Sequence, residues 1–173
     1  MDIAMLILRS IHILSGIFWV GTALFFVLFF EPIIRAAGPA GGAVMGRLAL
    51  TRFPVVMAVA SILTVVIGFV MYWIDSQGFQ FNWIATPPGV AMTIGSAAGI
   101  LAFLLGGFVQ MPTTARMAAL QKEIQSAGAP PAPAQLETLR VLQNRMAIAS
   151  RWGAVLMVIA VLGMAIAPEL GEL

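Results

Sequence analysis

Apolar residues occupy four long runs of this chain, and ionised side chains fall almost entirely between them. The runs at about 10–30, 53–74 and 89–110 contain no Asp, Glu, Lys or Arg, and the fourth, at about 147–167, contains Arg151 alone. A hydrocarbon core about 30 Å thick is crossed by about 20 apolar residues of helix. The pattern therefore predicts four transmembrane helices, with the short fourth span letting the Arg151 side chain reach the interface.

The composition agrees with a membrane location. The chain of 173 residues is 61% hydrophobic and 9% charged, whereas soluble domains have about a quarter of their residues charged. In a bilayer the backbone groups must be satisfied internally, which favours helices. We therefore expect an all-α integral membrane protein in which residues 1–173 form one domain, a bundle of four helices in contact with the lipid bilayer.

The connection between the third and fourth runs has a helical pattern of its own. Apolar residues recur three or four positions apart in 114–126 and again in 134–152, and GAPPAP at 128–133 separates the two segments. These features predict a helical hairpin over 111–150 that extends the third and fourth spans on the cytoplasmic side.

The basic residues indicate an orientation. Eight of the nine cations lie in the two connections that follow the first and third runs or, for Arg151, near the start of the fourth run. By the positive-inside rule these connections face the cytoplasm, so the N- and C-termini are predicted on the periplasmic side of a bacterial inner membrane. The first run is longer than the apolar part of a secretory signal peptide, and we expect it to be an uncleaved span.

Several classes of chemistry are disfavoured by the sequence. It contains no cysteine and a single histidine, and its seven acidic residues lie outside the interiors of the predicted spans. Thiolate sites, zinc pairs and paired catalytic carboxylates are therefore not expected, and no catalytic side chain is predicted. A net charge of +2 with scattered cations also argues against nucleic acid as a partner.

The single histidine lies in the first span, on a stripe of polar and small residues. At 100° per residue Arg9, His12, Ser15, Gly16 and Trp19 share one face of the helix. An ionisable residue inside a membrane helix is a candidate for a functional site. Gly16 could leave room for a flat macrocycle, Arg9 could meet a propionate, and Trp19 could form a wall. The stripe predicts haem b bound through His12 near the outer face, in electron transfer or redox chemistry.

The second ligand and the metal are left open by the sequence. Met71, Met92 and Met164 lie near the outer ends of the other three spans, at about the depth of His12. A His/Met pair is an established haem ligation, whereas one imidazole with several thioethers also suits Cu(I) in a copper-handling or transport protein. In a homodimer, two His12 side chains could instead ligate one haem, or each could hold a five-coordinate haem. An enzyme of this kind would be a haem-dependent membrane oxidoreductase, with a quinone or a cytochrome as redox partner.

A third alternative assigns no cofactor to the chain. His12 could hydrogen-bond across the bundle of a non-catalytic membrane subunit or scaffold. The GxxxG pattern Gly95–Gly99 in the third span gives that helix a smooth face, for which packing inside the bundle is the expected use.

The stretch RSIHILSGIFWVGTALFF resembles the first helix of a broad group of small bacterial membrane proteins. The group includes copper-resistance-D-like proteins, HemJ-type protoporphyrinogen oxidases and the membrane domain attached to some urate oxidases. The matching residues are His12, Gly16, Trp19 and Gly21. The resemblance covers one helix of the four, and it implies a helical bundle in the inner membrane whose first-span histidine is a haem ligand in several members.

Overall fold

The computed structural model describes residues 3–128 and 130–171, and all regular structure in these ranges is helical. Two five-residue π turns, Phe26–Phe30 and Gly106–Gln110, connect consecutive α-helices, and a short 3₁₀ turn covers Glu169–Gly171. The α-helices are α1 (Ile3–Phe25), α2 (Glu31–Ala36), α3 (Pro39–Ala49), α4 (Phe53–Asp75), α5 (Phe81–Ile84), α6 (Pro87–Leu105), α7 (Met111–Ala127) and α8 (Pro133–Ile166).

The four predicted spans are confirmed as helices. Within the described ranges, four continuous helical stretches are long and apolar enough to cross a membrane: Ile3–Ala36, Phe53–Asp75, Pro87–Ala127 and Pro133–Gly171. The first of them includes Ile3 and so extends earlier than the predicted residue 10, because the apolar residues 3–8 continue the same helix. The fourth span and the segment before it form one helix, since no glycine interrupts residues 133–152.

Large apolar side chains cover the outside of the spans. Leu14 is 70% exposed, Ile17 65% and Val55 65%. An apolar surface of this extent is unfavourable in water and is the normal exterior of a helix bundle in lipid. The chain is accordingly a multi-pass membrane protein whose outer surface contacts a bilayer.

The core of the bundle lies around Trp19. Its side chain is 8% exposed and packs with Ala60 of α4, Ala102 of α6 and Met157 of α8. The indole also meets the ring of Phe103 edge-on, with the ring centroids 6.4 Å apart and an interplanar angle of 83°, a favourable aromatic geometry. One side chain therefore holds all four spans together.

Glycines bring α6 and α8 into backbone contact. A Cβ added to Gly163 would lie 2.8 Å from the carbonyl oxygen of Ala91 and 2.9 Å from Cα of Gly95. Gly99, the second glycine of the GxxxG pattern, also faces α8, since an added Cβ would lie 3.8 Å from Cβ of Ala160. The expectation that this pattern serves packing inside the bundle is confirmed.

Each of the two π turns lies directly before a residue that is followed by proline, and both turns have the same hydrogen bond. The Glu31 N–H donates to the carbonyl of Phe26 and the Met111 N–H donates to that of Gly106, five residues back in both cases. Pro32 and Pro112 follow directly. A proline ring clashes with the carbonyl four residues earlier, and a widened turn moves that carbonyl aside. The helices thus continue through their prolines.

A short connection that contains Pro130 and Pro131 joins α7 to α8, and Pro133 is the first residue of α8. Gly128, at φ 60°, ends α7 in the left-handed conformation that glycine tolerates. The side-chain amide of Gln135 donates to Glu123 Oε1 at 3.1 Å, so the start of α8 contacts α7.

Candidate functional site

His12 is anchored to the second span by one nitrogen of its ring. Nδ1 lies 2.9 Å from the backbone carbonyl oxygen of Thr64. Because a carbonyl can only accept, Nδ1 carries the proton and donates, and Nε2 is the unprotonated nitrogen of the neutral imidazole. The hydrogen bond thereby selects the tautomer.

The second nitrogen of the ring is open. No hydrogen bond joins Nε2 to any residue that the structure describes. Every fully buried side-chain nitrogen or oxygen in the same part of the chain has a partner, so Nε2 lies at an accessible surface of the bundle. An imidazole held through Nδ1 with a free Nε2 lone pair is the usual form of a histidine metal ligand.

The imidazole of His12 packs against Gly68 of α4. A Cβ added to Gly68 would lie 2.7 Å from Cε1 of His12, closer than carbon atoms approach. The ring therefore packs directly on the backbone of α4, one helical turn after Thr64. Only glycine at position 68 leaves room for the imidazole in this position.

Ser15 and Gly16 contact the same part of α4. The Thr64 hydroxyl lies 2.9 Å from Ser15 Oγ and 2.8 Å from the carbonyl of Ala60, so its single proton can be donated to either. The Ser15 hydroxyl donates to the Ile11 carbonyl at 2.7 Å. The space beside Gly16 holds the methyl group of Thr64, 3.6 Å from where a glycine Cβ would stand. Both residues thus serve the contact between the first two spans.

The other two residues of the predicted stripe lie on either side of the imidazole along α1, with Arg9 about one turn before His12 and Trp19 about two turns after it. Trp19 lies in the core described above, two helical turns from His12, and Arg9 is exposed. The ion pairs recorded within the described ranges join Arg35 to Glu31 and Arg140 to Glu137, so Arg9 takes part in neither.

The three candidate methionines are half-buried on three different helices. Met71 precedes Tyr72, whose hydroxyl lies 2.6 Å from that of Thr93, the neighbour of Met92. The backbone nitrogen of Met164 lies 3.2 Å from a Cβ added to Gly95. These contacts join α4 to α6 and α6 to α8 near the three methionines, and Met71 lies three residues after Gly68 on α4. None of the contacts recorded for His12 in the described residues involves a methionine.

No cluster of three or more His, Cys, Asp or Glu side chains that could hold a metal ion occurs in the described ranges. Any metal chemistry here therefore depends on His12 together with thioethers or a macrocycle.

Thr64 and Gly68 are the site residues that sequence reasoning missed. They lie four positions apart on the second span, where Ala60, Ser61 and Thr64 begin a stripe of small and polar residues that continues to Gly68. This stripe is the same kind of signal that singled out the first span, and it marks the helix face that receives His12.

Comparison of the chain with protein-family models, with curated proteins and with solved structures finds no match. A functional conclusion therefore depends on the geometry of the site.

Proposed function

We propose that this chain is a bacterial inner-membrane protein that binds haem b through Nε2 of His12, near the outer face, and acts in electron transfer or redox chemistry. The observation that carries the proposal is the hydrogen bond from Nδ1 of His12 to the Thr64 carbonyl. It orients the ring and leaves the other nitrogen free for iron, as second-shell carbonyls do for metal-bound histidines. A haem would supply a one-electron couple.

Met92 is the methionine that we propose as the second ligand. His12 precedes Pro32 by twenty positions, and Met92 precedes Pro112 by twenty positions, with one π turn in each interval. The first and third spans therefore place these two residues at equal distances from equivalent prolines. Thr93, next to Met92, contacts Tyr72, which lies one turn beyond Gly68 on the same helix.

The proposal includes the orientation predicted by the basic residues. Both termini then lie in the periplasm, and α7 with the first half of α8 forms a cytoplasmic hairpin. A quinone or a cytochrome would exchange electrons with the haem near the outer face, and a homodimer joined through two His12 ligands is the alternative to Met92.

The absorption spectrum of the purified protein tests the proposal. We expect a Soret band in the protein as isolated or after addition of haem, and we expect His12→Ala to abolish or strongly shift it. Met92→Leu should change the ligation state, whereas Met71→Leu should leave the spectrum unchanged. A colourless protein that takes up no added haem would overturn the proposal. Copper found by metal analysis, without porphyrin, would favour the copper-handling alternative.

One observation favours a second candidate, a membrane subunit or scaffold without a cofactor. The hydrogen bonds of His12 and Thr64 join two spans, and such interhelical bonds are worth about 0.6 to 2 kcal/mol in membranes. In that case His12→Phe should alter stability alone, with no cofactor in the unmodified protein.

A further inference from the structure

An open groove of about 400 Å³ lies beside the fourth span, and His12 is not among the residues that line it. Leu105 and Val109, from the end of α6 and the second π turn, form one wall, and Ile148 and Trp152 of α8 form the other. Apart from Arg145 and Asn144, the side chains that line it are apolar.

Arg145 is the cation that lines the groove, with Val141 one helical turn before it on α8 and Trp152 about two turns after it. Arg145 is exposed and takes part in neither ion pair recorded in the described ranges. The amide of Asn144 lies next to it. Seven residues separate Arg145 from Trp152, which is about two helical turns or about 10 Å along the same face of α8. The guanidinium and the indole therefore line one continuous groove about two turns apart, and the apolar side chain of Val141 lines it beyond Arg145.

The position of the groove relative to the bilayer follows from the charges of α8. Residues 152–167 carry no ionised side chain, whereas Arg151 and Arg145 precede them. Trp152 thus marks the edge of the hydrocarbon region, and Arg145, about 10 Å further out, lies at the depth of the lipid headgroups. The lining therefore suits an occupant that has an apolar chain and a negatively charged group.

We propose that the groove binds one molecule of an anionic phospholipid. Its phosphate lies against Arg145 and Asn144, and an acyl chain lies between Trp152 and Ile148 on one side and Leu105 and Val109 on the other. Charge complementarity supports this occupant, since guanidinium groups bind phosphate in a bidentate manner and the groove offers no acidic side chain to a cationic headgroup. The site stands independently of the proposed haem function.

Fluorescence quenching tests the site in the full-length protein in a neutral maltoside detergent. Phosphatidylglycerol with brominated acyl chains is titrated in, since bromine quenches an indole on contact. The same titration with brominated phosphatidylcholine measures binding that does not depend on a negative headgroup. The Trp152 contribution is the difference between the unmodified protein and Trp152→Phe, a substitution at an exposed position.

We expect saturable quenching of Trp152 by phosphatidylglycerol, with a half-saturation several-fold lower than for phosphatidylcholine. Arg145→Gln should raise the half-saturation for phosphatidylglycerol about fivefold. Arg140→Gln is the matched control, because Arg140 lies on the same helix, pairs with Glu137 and does not line the groove. It should leave the half-saturation unchanged.

Equal half-saturation for the two lipids would overturn the proposal. So would an Arg145→Gln variant with the same half-saturation for phosphatidylglycerol as the unmodified protein. An Arg140→Gln variant whose half-saturation rises as much as that of Arg145→Gln would also overturn it. Native mass spectrometry of the protein offered equal amounts of phosphatidylglycerol, phosphatidylcholine and an isoprenoid quinone provides a second measurement. We expect a phosphatidylglycerol adduct that Arg145→Gln weakens, and a quinone adduct in its place would also overturn the proposal.

Discussion

Nδ1 of His12 and the carbonyl oxygen of Thr64 are hydrogen-bonded at 2.9 Å across the contact between the first and second spans. One nitrogen of the ring therefore joins two helices, while the other is left with an open lone pair. A structural role and a ligand role are compatible in this arrangement. Experiments have to measure stability and spectra separately in order to distinguish them.

His12→Phe should lower the free energy of unfolding by about 1 kcal/mol, because it removes one interhelical hydrogen bond while keeping an apolar ring over Gly68. Unfolding in detergent followed by circular dichroism measures the change. Ser10→Ala is the control, because the exposed Ser10 hydroxyl donates to the Leu6 carbonyl of its own helix and the described residues offer it no bond to another span. A His12→Phe protein as stable as this control would contradict a structural contribution from the imidazole.

Two substitutions of Thr64 should measure separately what its hydroxyl and its methyl group contribute to stability. Thr64→Val removes the hydrogen bond to Ser15 and keeps the methyl group beside Gly16, so a loss of about 0.5 to 1 kcal/mol is expected. Thr64→Ser keeps the hydroxyl and leaves the space beside Gly16 empty, at a cost of about 1 kcal/mol. His12 should be unaffected in both, since its partner is the backbone carbonyl. Histidine NMR resonances that shift in either variant would contradict this arrangement.

Much of the fold could be predicted from the apolar runs, because a helix that crosses lipid needs a length and a composition that a sequence displays directly. The inward face of the first span was also predictable. Ser15, Gly16 and Trp19 all point into the bundle, as a stripe of small and polar residues indicates.

The partners of that face could not be predicted, since they depend on which helices are neighbours. Gly16 illustrates the difficulty. The absence of a side chain at Gly16 leaves space beside the first span for a group from another helix. Only the three-dimensional arrangement identifies that group as the Thr64 methyl. The π turns could not be predicted either, because Pro32 and Pro112 indicate an irregular helix without specifying whether it kinks, ends or forms a widened turn.

Gly68→Ala should displace the imidazole of His12. The added methyl group would stand 2.7 Å from Cε1, so the ring has to rotate away and its bond to Thr64 lengthens or breaks. We expect a loss of about 1 kcal/mol in stability and, if His12 holds a haem, a shifted Soret band. Gly21→Ala is the matched control in the lipid-facing part of the first span, where nothing lies within 4 Å of the added Cβ. Gly68→Ala behaving like this control in both measurements would contradict the packing of His12 on α4.

Gly163→Ala should separate the third and fourth spans. The new Cβ would meet the Ala91 carbonyl oxygen at 2.8 Å and the Gly95 nitrogen at 3.0 Å, and these backbone atoms cannot move aside without a shift of the helix. Overpacking of this kind costs about 1 to 3 kcal/mol. Gly99→Ala is the matched control on the same interface, because its Cβ would make an ordinary contact at 3.8 Å. Both variants gain about the same helix propensity from alanine, up to about 1 kcal/mol. The difference between their unfolding free energies therefore isolates the steric term, and equal stabilities would show that α6 and α8 are not in backbone contact.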